Sequence, residues 1–323
     1  MNIPLCQPVR FRPLSRSFVW GGRRLATLLG KQHLAEQTIA ESWEIVDHGD
    51  SQSRVIGGPM EGMTLHELVT LHGQSLLGID FPQATFPLLF KYLDCQQNLS
   101  VQVHPDDQQA ARLDPPCRGK TEAWVVLEAE PESRVYAGLK QGVRRDELQT
   151  ALQQGNMESI LHWFEPNVGD CILIPAGTVH AIGAGLLIAE IQQTSDITYR
   201  LFDWDRMGDD GRPRELHLEA GLEAVDFQAG PCQPQTPIPG ASPQEETLVH
   251  CPGFVLDRIT LESPTVIGGD DHCRILSVLA GEVTVGKEVM TLTRGETCLL
   301  PAAAGEQPLV PVGKSIVLSA RQP

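Results

Sequence analysis

The sequence predicts a mainly β fold, a sandwich or barrel built from two related units, with a small helical insertion in the first. Three observations lead there. The apolar runs are short and separated by turn residues, and 30 glycines and 24 prolines punctuate the 323 residues; that is the pattern of many short strands. Helical spacing is confined to three stretches. A segment of the first part also matches a segment of the second without gaps, which marks a duplicated unit.

In chain order, apolar runs bounded by turn residues predict strands over 86–92, 99–103, 123–127, 171–174 and 186–192. A second set covers 255–260, 274–280, 282–285, 297–300 and 315–318. Residues 64–71 read as a short helix. The stretch 144–160 places Leu148, Leu152, Met157 and Ile160 at helical spacing, but Gly155 interrupts it, so two short helices are expected. A third helix is expected over 216–225. Residues 230–246 hold five prolines and almost no large apolar side chain, the composition of an extended surface linker. The expected organisation is therefore 1–229, a linker at 230–246, and a smaller unit at 247–323.

The internal match joins 169–180 to 295–306 at an offset of 126, and 124–129 to 276–281 at an offset of 152. The difference between the offsets, 26 residues, is the size of the stretch 140–165 that carries the helical pattern. The second copy keeps the Gly-acidic-apolar-Pro framework. It places Glu306 where the first has His180, and Arg274 where the first has Glu122.

Composition narrows the function classes. Hydrophobic residues make up 41% of the chain and charged ones 20%, enough to bury real cores. No apolar run approaches the roughly 20 residues of a membrane helix. Residues 1–11 show no continuous apolar stretch of the signal-peptide kind. The eight cysteines form no C-x-x-C pair. Free thiols and a cytoplasmic location are expected. The net charge of −16 and a pI near 5.0 disfavour nucleic acid or an acidic membrane as partner. An anionic ligand would need a local cationic pocket.

One short strand carries the chemistry. In Ser100-Val101-Gln102-Val103-His104-Pro105-Asp106-Asp107, alternation puts Gln102 and His104 on one face and Val101 and Val103 on the other. Glu122, in Gly119-Lys120-Thr121-Glu122, and His180, after the Pro175-Ala176-Gly177 turn, could complete a site for a divalent metal. Two imidazoles and a carboxylate suit a first-row ion with a position left open. Gln102 is a less usual ligand, and its sequence warrant is the face it shares with His104.

These residues fall in segments that together resemble type I mannose-6-phosphate isomerases. The resemblance rests on 99–107, on Gly119-Lys120-Thr121-Glu122-Ala123-Trp124, on 174–182, and on 190–205 with Asp196 and Arg200. Val19-Trp20-Gly21-Gly22-Arg23 and Glu41-Ser42-Trp43-Glu44 fit the same family near the N-terminus, so the likeness runs almost end to end and matches the short bacterial form. It implies a fold of two cupin-type (jelly-roll) β-barrels. It further implies one zinc ion per chain in the first barrel, held by Gln102, His104, Glu122 and His180, with Lys120, Asp196 and Arg200 in the active site.

The implied reaction converts mannose 6-phosphate to fructose 6-phosphate and back, moving a proton between C2 and C1 through an enediol or enediolate. Lys120 and Asp196 are the candidate bases. Arg200, always charged, suits the enediolate or the phosphate. The chain has no P-loop and no dinucleotide fingerprint, so the phosphate falls to individual groups, with Ser100, Thr121 and Lys91 as candidates. The expected partner is a small sugar phosphate, with no nucleic acid and no membrane, acting on a monomer or homodimer. A non-catalytic cupin that binds sugar phosphates, and an isomerase of another sugar phosphate such as glucose 6-phosphate, are the competing readings.

Overall fold

A computed structural model describes residues 5–31, 38–113, 115–208, 211–240, 242–287 and 290–323. It is mainly β, as the sequence predicts, and most predicted strands are present. Cys171–Ile174, Arg274–Ala280, Glu282–Val285 and Thr297–Leu300 have the predicted bounds. Leu88–Cys95, Glu122–Ala129 and Ser315–Arg321 run further than their apolar cores.

The duplication is visible in strand pairing. A six-stranded sheet contains Cys171–Ile174, Glu122–Ala129, Leu186–Gln193, Leu88–Cys95, Glu41–Ile45 and Leu14–Arg16, in that spatial order. Part of a second sheet repeats it with Thr297–Leu300, Arg274–Ala280, Ser315–Arg321, Val255–Leu261, Glu245–His250 and Ile238–Pro239. The registers correspond residue by residue. Ala123 pairs with Leu173, and Ile275 with Leu299. Glu190 pairs with Trp124, and Ser319 with Leu276. Lys91 pairs with Glu190, and Asp257 with Ser319. Even the irregularities recur: the ladder shifts between Leu187 and Ile188 in one copy and between Val278 and Ala280 in the other.

Both faces of these central strands are apolar because each copy is covered on both sides. Trp124, Val126, Ile172 and Ile188 point into the first barrel, against Val135, Ala137 and Ile182 of an opposing five-stranded sheet. Their alternate neighbours Ala123, Val125, Ala189 and Ile191 point the other way. There they pack in one layer with Leu256, Ile275, Leu299 and Leu318 of the second copy. The second barrel has its own filling, including Ile259, Leu276, Val278, Val283 and Leu309. This burial on two sides explains why these antiparallel strands lack the half-polar alternation of a solvent-facing sheet.

Helices cover the outside of the five-stranded sheet. Arg145–Gln154 ends at Gly155 in the left-handed conformation (φ 65°), a helix stop that glycine adopts readily. A 3-10 turn, Met157–Ser159, follows. The stretch 140–165 is not wholly helical, since Leu161–Phe164 returns as a strand. Leu218–Ala224 lies within the third predicted helix. The first predicted helix is longer than its apolar pattern, Leu65–Leu77, with a bend at His72. Thr64 and Glu67 cap its start reciprocally. Several short strands escaped the apolar-run criterion, Glu41–Ile45, Val135–Leu139, His180–Ile182 and Tyr199–Phe202 among them.

The proline-rich stretch lies along the first barrel and then joins a sheet. Cys232 donates to the Ala137 carbonyl and Gln235 to that of Cys171 before Ile238–Pro239 pairs with Thr247 and Glu246. The N-terminal strand Val9–Arg12 pairs with Thr297–Leu300, so the start of the chain belongs to the second copy's sheet. No helix among the described residues is long and apolar enough to cross a membrane.

Candidate active site

Three neighbouring strands of the five-stranded sheet place a row of polar side chains on the barrel's inner face. His180 opens His180–Ile182 and pairs with Gln102, at the centre of Val101–Val103; Gln102 pairs on its other side with Arg200 of Tyr199–Phe202. Directly opposed residues share a face, so His180, Gln102 and Arg200 form one line. His104, two residues beyond Gln102, adds to it. Glu122 comes from the facing sheet, as the first residue of its strand.

His104, Glu122 and His180 meet as the sequence predicts. Their ligand atoms all lie within 4.8 Å of one another, and all three residues are buried. His180 Nε2 is 3.2 Å from Glu122 Oε1, and His104 Nε2 is 3.4 Å from Glu122 Oε2. Backbone contacts fix the tautomers. His104 Nδ1 faces the Ile197 carbonyl at 2.8 Å, and His180 Nδ1 faces the Thr178 carbonyl at 2.8 Å. A carbonyl only accepts, so each Nδ1 carries the hydrogen and each Nε2 presents a lone pair toward the carboxylate. Burial, then the Lys120 charge, pushes His104 down to about 3, so its ring is neutral. These contacts are therefore not salt bridges but lone pairs crowded together, an arrangement that a cation resolves. His180 Nε2 is buried without a hydrogen-bond partner, and Glu122 Oε2 has none beyond its ion pair with Lys120. The donor set and its orphaned atoms fit a divalent metal.

Lys120 supplies positive charge at the same point. Its Nζ is 2.9 Å from Glu122 Oε2 and 3.2 Å from His104 Nε2. Burial raises the Glu122 carboxyl, but Lys120 together with His104 and His180 outweighs that, and the group is held well below the usual carboxylate range. Two glycines make the close packing possible. A Cβ on Gly119 would lie 2.5 Å from the Asp106 and Asp107 backbone, which lets Lys120 donate to the Pro105 carbonyl beside His104. Gly177, at φ +86°, donates to the His104 carbonyl at 2.8 Å and turns the chain toward His180.

A cavity of about 350 Å³, the size of a small-molecule site, reaches this cluster at Glu122. Gln102, Lys120, Glu122, Asp196 and Arg200 all line it, as do Ser100 and Lys91. Thr121 is not among its lining; its hydroxyl accepts from the Ala176 amide on the other side of the strand. Asp196 and Arg200 form no ion pair with each other among the described residues: Arg200 donates to the Glu215 carbonyl at 2.8 Å.

Lys91, which the sequence offers for the phosphate, lines the cavity, and the structure adds residues around it that sequence reasoning did not place in the site. Lys91 lies between Glu190, at 3.3 Å, and Glu41, at 3.4 Å. Those two carboxylates outweigh burial and hold Lys91 above its usual value, so it remains an ammonium. Burial, which Lys91 only partly offsets, and the nearby Glu122 carboxylate push Glu190 up to about 7. Trp20, Trp43, Arg16 and Arg214 complete the wall. Glu41, Trp43 and Trp20 sat in segments the sequence singled out, but only strand pairing brings them to the cavity. His217, with no sequence signal, accepts from the Arg200 amide at 3.1 Å and steadies that strand.

Comparison with known proteins gives this geometry its family. Residues 9–132 match the type I phosphomannose isomerase catalytic domain. The mannose-6-phosphate isomerase ManA of Bacillus subtilis is 33% identical over 317 residues, covering 96% of this chain and 98% of that protein. A mannose-6-phosphate isomerase of Streptococcus mutans is 34% identical, covering 92% of this chain and 93% of that protein. The crystal structure of the mannose 6-phosphate isomerase from Bacillus subtilis superposes with a TM-score of 0.88 at 28% identity, over 97% of this chain and 99% of that one. The chain belongs to the type I mannose-6-phosphate isomerase family.

Proposed function

We infer that this chain is an aldose–ketose isomerase that interconverts mannose 6-phosphate and fructose 6-phosphate. The observation that carries the reading is the His104–Glu122–His180 cluster, whose Glu122 lines a cavity that also holds Lys120, Asp196 and Arg200. A passive sugar-phosphate binder would not need proton carriers beside a metal-type cluster.

We propose zinc as the metal, with Gln102, His104, Glu122 and His180 as the residues that hold it; imidazole and carboxylate donors suit that ion. A divalent cation held by these residues would supply Lewis-acid stabilisation of negative charge on a substrate oxygen. Lys120 is buried within reach of the cluster and is the side chain placed to carry the proton between the two carbons. Asp196 is the second proton carrier on the wall. The Arg200 guanidinium remains charged through the cycle and stabilises negative charge on the substrate. The closed barrel wall of Trp20, Trp43 and Trp124 limits the water that reaches the intermediate.

The deciding experiment is a coupled assay with mannose 6-phosphate and glucose 6-phosphate, alongside elemental analysis of the same preparation. Turnover of mannose 6-phosphate with about one zinc per chain is expected. Binding without turnover would make the protein a sugar-phosphate-binding module, and preference for glucose 6-phosphate would reassign the substrate. For Lys120→Met, run in D₂O, we expect no deuterium at C1 or C2 of the recovered sugar phosphate. Arg200→Ala should keep fold and metal and lose most of kcat.

A further inference from the structure

Five cationic side chains line the cavity: Arg16, Lys91, Lys120, Arg200 and Arg214. Three of them are engaged. Lys91 is shared by Glu41 and Glu190, and Lys120 sits on Glu122. Arg16 lies over the Trp43 ring at 4.8 Å and donates to Ser51 Oγ at 2.6 Å. Arg200 and Arg214 line the same cavity and are held from behind instead, Arg200 by the Glu215 carbonyl and Arg214 by Asp203.

Their surroundings are built to hold them there. Asp203, buried, accepts from Arg214 Nε at 2.7 Å and also from its Nη2, a two-point grip that fixes the guanidinium plane. The same carboxylate accepts from Arg206 Nη2 at 2.6 Å, and Arg206 Nη1 donates to the Asn98 carbonyl at 2.6 Å, which ties the assembly to the barrel. Burial raises Asp203, yet the hydrogen bonds from Arg214 and Arg206 hold it below the usual carboxylate range. Two guanidinium groups, those of Arg206 and Arg214, thus share one buried carboxylate. Arg200 Nε is buried with no hydrogen-bond partner, and both burial and the like charge of Arg214 push Arg200 below its ordinary value. Two cations held together against their own repulsion, in a chain of net charge −16, mark a place for an anion.

We propose that Arg200 and Arg214 together take the phosphate of the sugar phosphate, and that Asp203 is the positioning residue that sets the Arg214 fork. The assignment rests on the sugar-phosphate reading above and deepens it. It places the phosphate end of the substrate beside Arg214 and the reacting carbons over the His104–Glu122–His180 cluster.

The test measures three constants on the full-length protein with its metal: KM for mannose 6-phosphate, and the inhibition constants of inorganic phosphate and of unphosphorylated mannose. Losing a charge-assisted hydrogen bond corresponds to about 10- to 100-fold in affinity. In Arg214→Ala, KM and the phosphate constant should rise together by that factor while the mannose constant stays put. Arg214→Lys, which keeps the charge but not the fork, should give a smaller rise in the same two constants. Asp203→Asn, with Arg214 intact, should do likewise, whereas a merely structural role would move all three constants or only the melting temperature. Unchanged phosphate inhibition in folded Arg214→Ala or Arg214→Lys overturns the proposal. If the wild-type protein binds phosphate through Arg214 yet does not isomerise mannose 6-phosphate, the isomerase reading fails and the anion site stands.

Discussion

At the scale of the residue, the site is decided by which nitrogen of each histidine faces the backbone. The Ile197 and Thr178 carbonyls claim the Nδ1 hydrogens of His104 and His180, and so both lone pairs are turned on Glu122. His180→Ala removes one donor and leaves Glu122 with Lys120 and His104. Losing an outer-shell partner of a metal ligand typically costs about 10- to 100-fold in affinity, so loss of the ligand itself should exceed that. Dialysis against a chelator followed by elemental analysis should show metal retained in wild type and absent in the variant; equal retention would remove His180 from the ligand set. Much of this was legible in the sequence, because alternation along Gln102-Val103-His104 and the Pro175-Ala176-Gly177 turn before His180 are local signals. Glu190 and Arg214 were not assigned to the cavity in the same way. Each is an ordinary charged residue in its own segment, and its place depends on strand register and on loops that meet only in three dimensions.

At the scale of the element, the turn before His180 shows how backbone freedom serves the site. Gly177 adopts φ +86°, and a Cβ there would lie 2.9 Å from Asp226 Cβ. Its amide also holds the His104 carbonyl at 2.8 Å, so one glycine sets the spacing of two ligand-bearing segments. Left-handed backbone costs a non-glycine residue about 1–2 kcal/mol, and the clash adds to it. Gly177→Ala should therefore lower the melting temperature and, by shifting His104 against His180, also lower metal occupancy at limiting zinc. A variant that melts lower but binds zinc as wild type does would show that the turn serves stability alone. The elements that sequence reasoning missed share a physical trait: His180–Ile182 and Tyr199–Phe202 are three and four residues long and carry polar groups on the cavity face, so no apolar run announces them.

At the scale of the whole molecule, the duplicated copies share one layer of core. Phe90, Val125 and Ile191 of the first sheet pack with Leu256, Leu299 and Leu318 of the second. Tyr92 and Ser277 hydroxyls meet across the layer at 2.5 Å, and Lys31 reaches from Glu44 to the Gly295 carbonyl. The strand Val9–Arg12 adds covalent continuity, since it lies in the second copy's sheet and precedes the strands of the first. The composition change at 230–246 reads as a division, yet neither copy can shed the other without exposing this layer to water. Domains joined by small polar interfaces unfold separately, whereas a large apolar interface couples them. Scanning calorimetry should accordingly show one endotherm, with calorimetric and van't Hoff enthalpies in near agreement. Leu318→Ala, in the shared layer, should cost about 2–5 kcal/mol and move that single transition as a whole. Two resolved endotherms, with only one shifted by Leu318→Ala, would show that the barrels are energetically independent. A single shifted transition would mean that the second copy, stripped of the metal-binding residues, serves the active site by holding the back of the sheet on which Glu122, Lys91 and Glu190 stand.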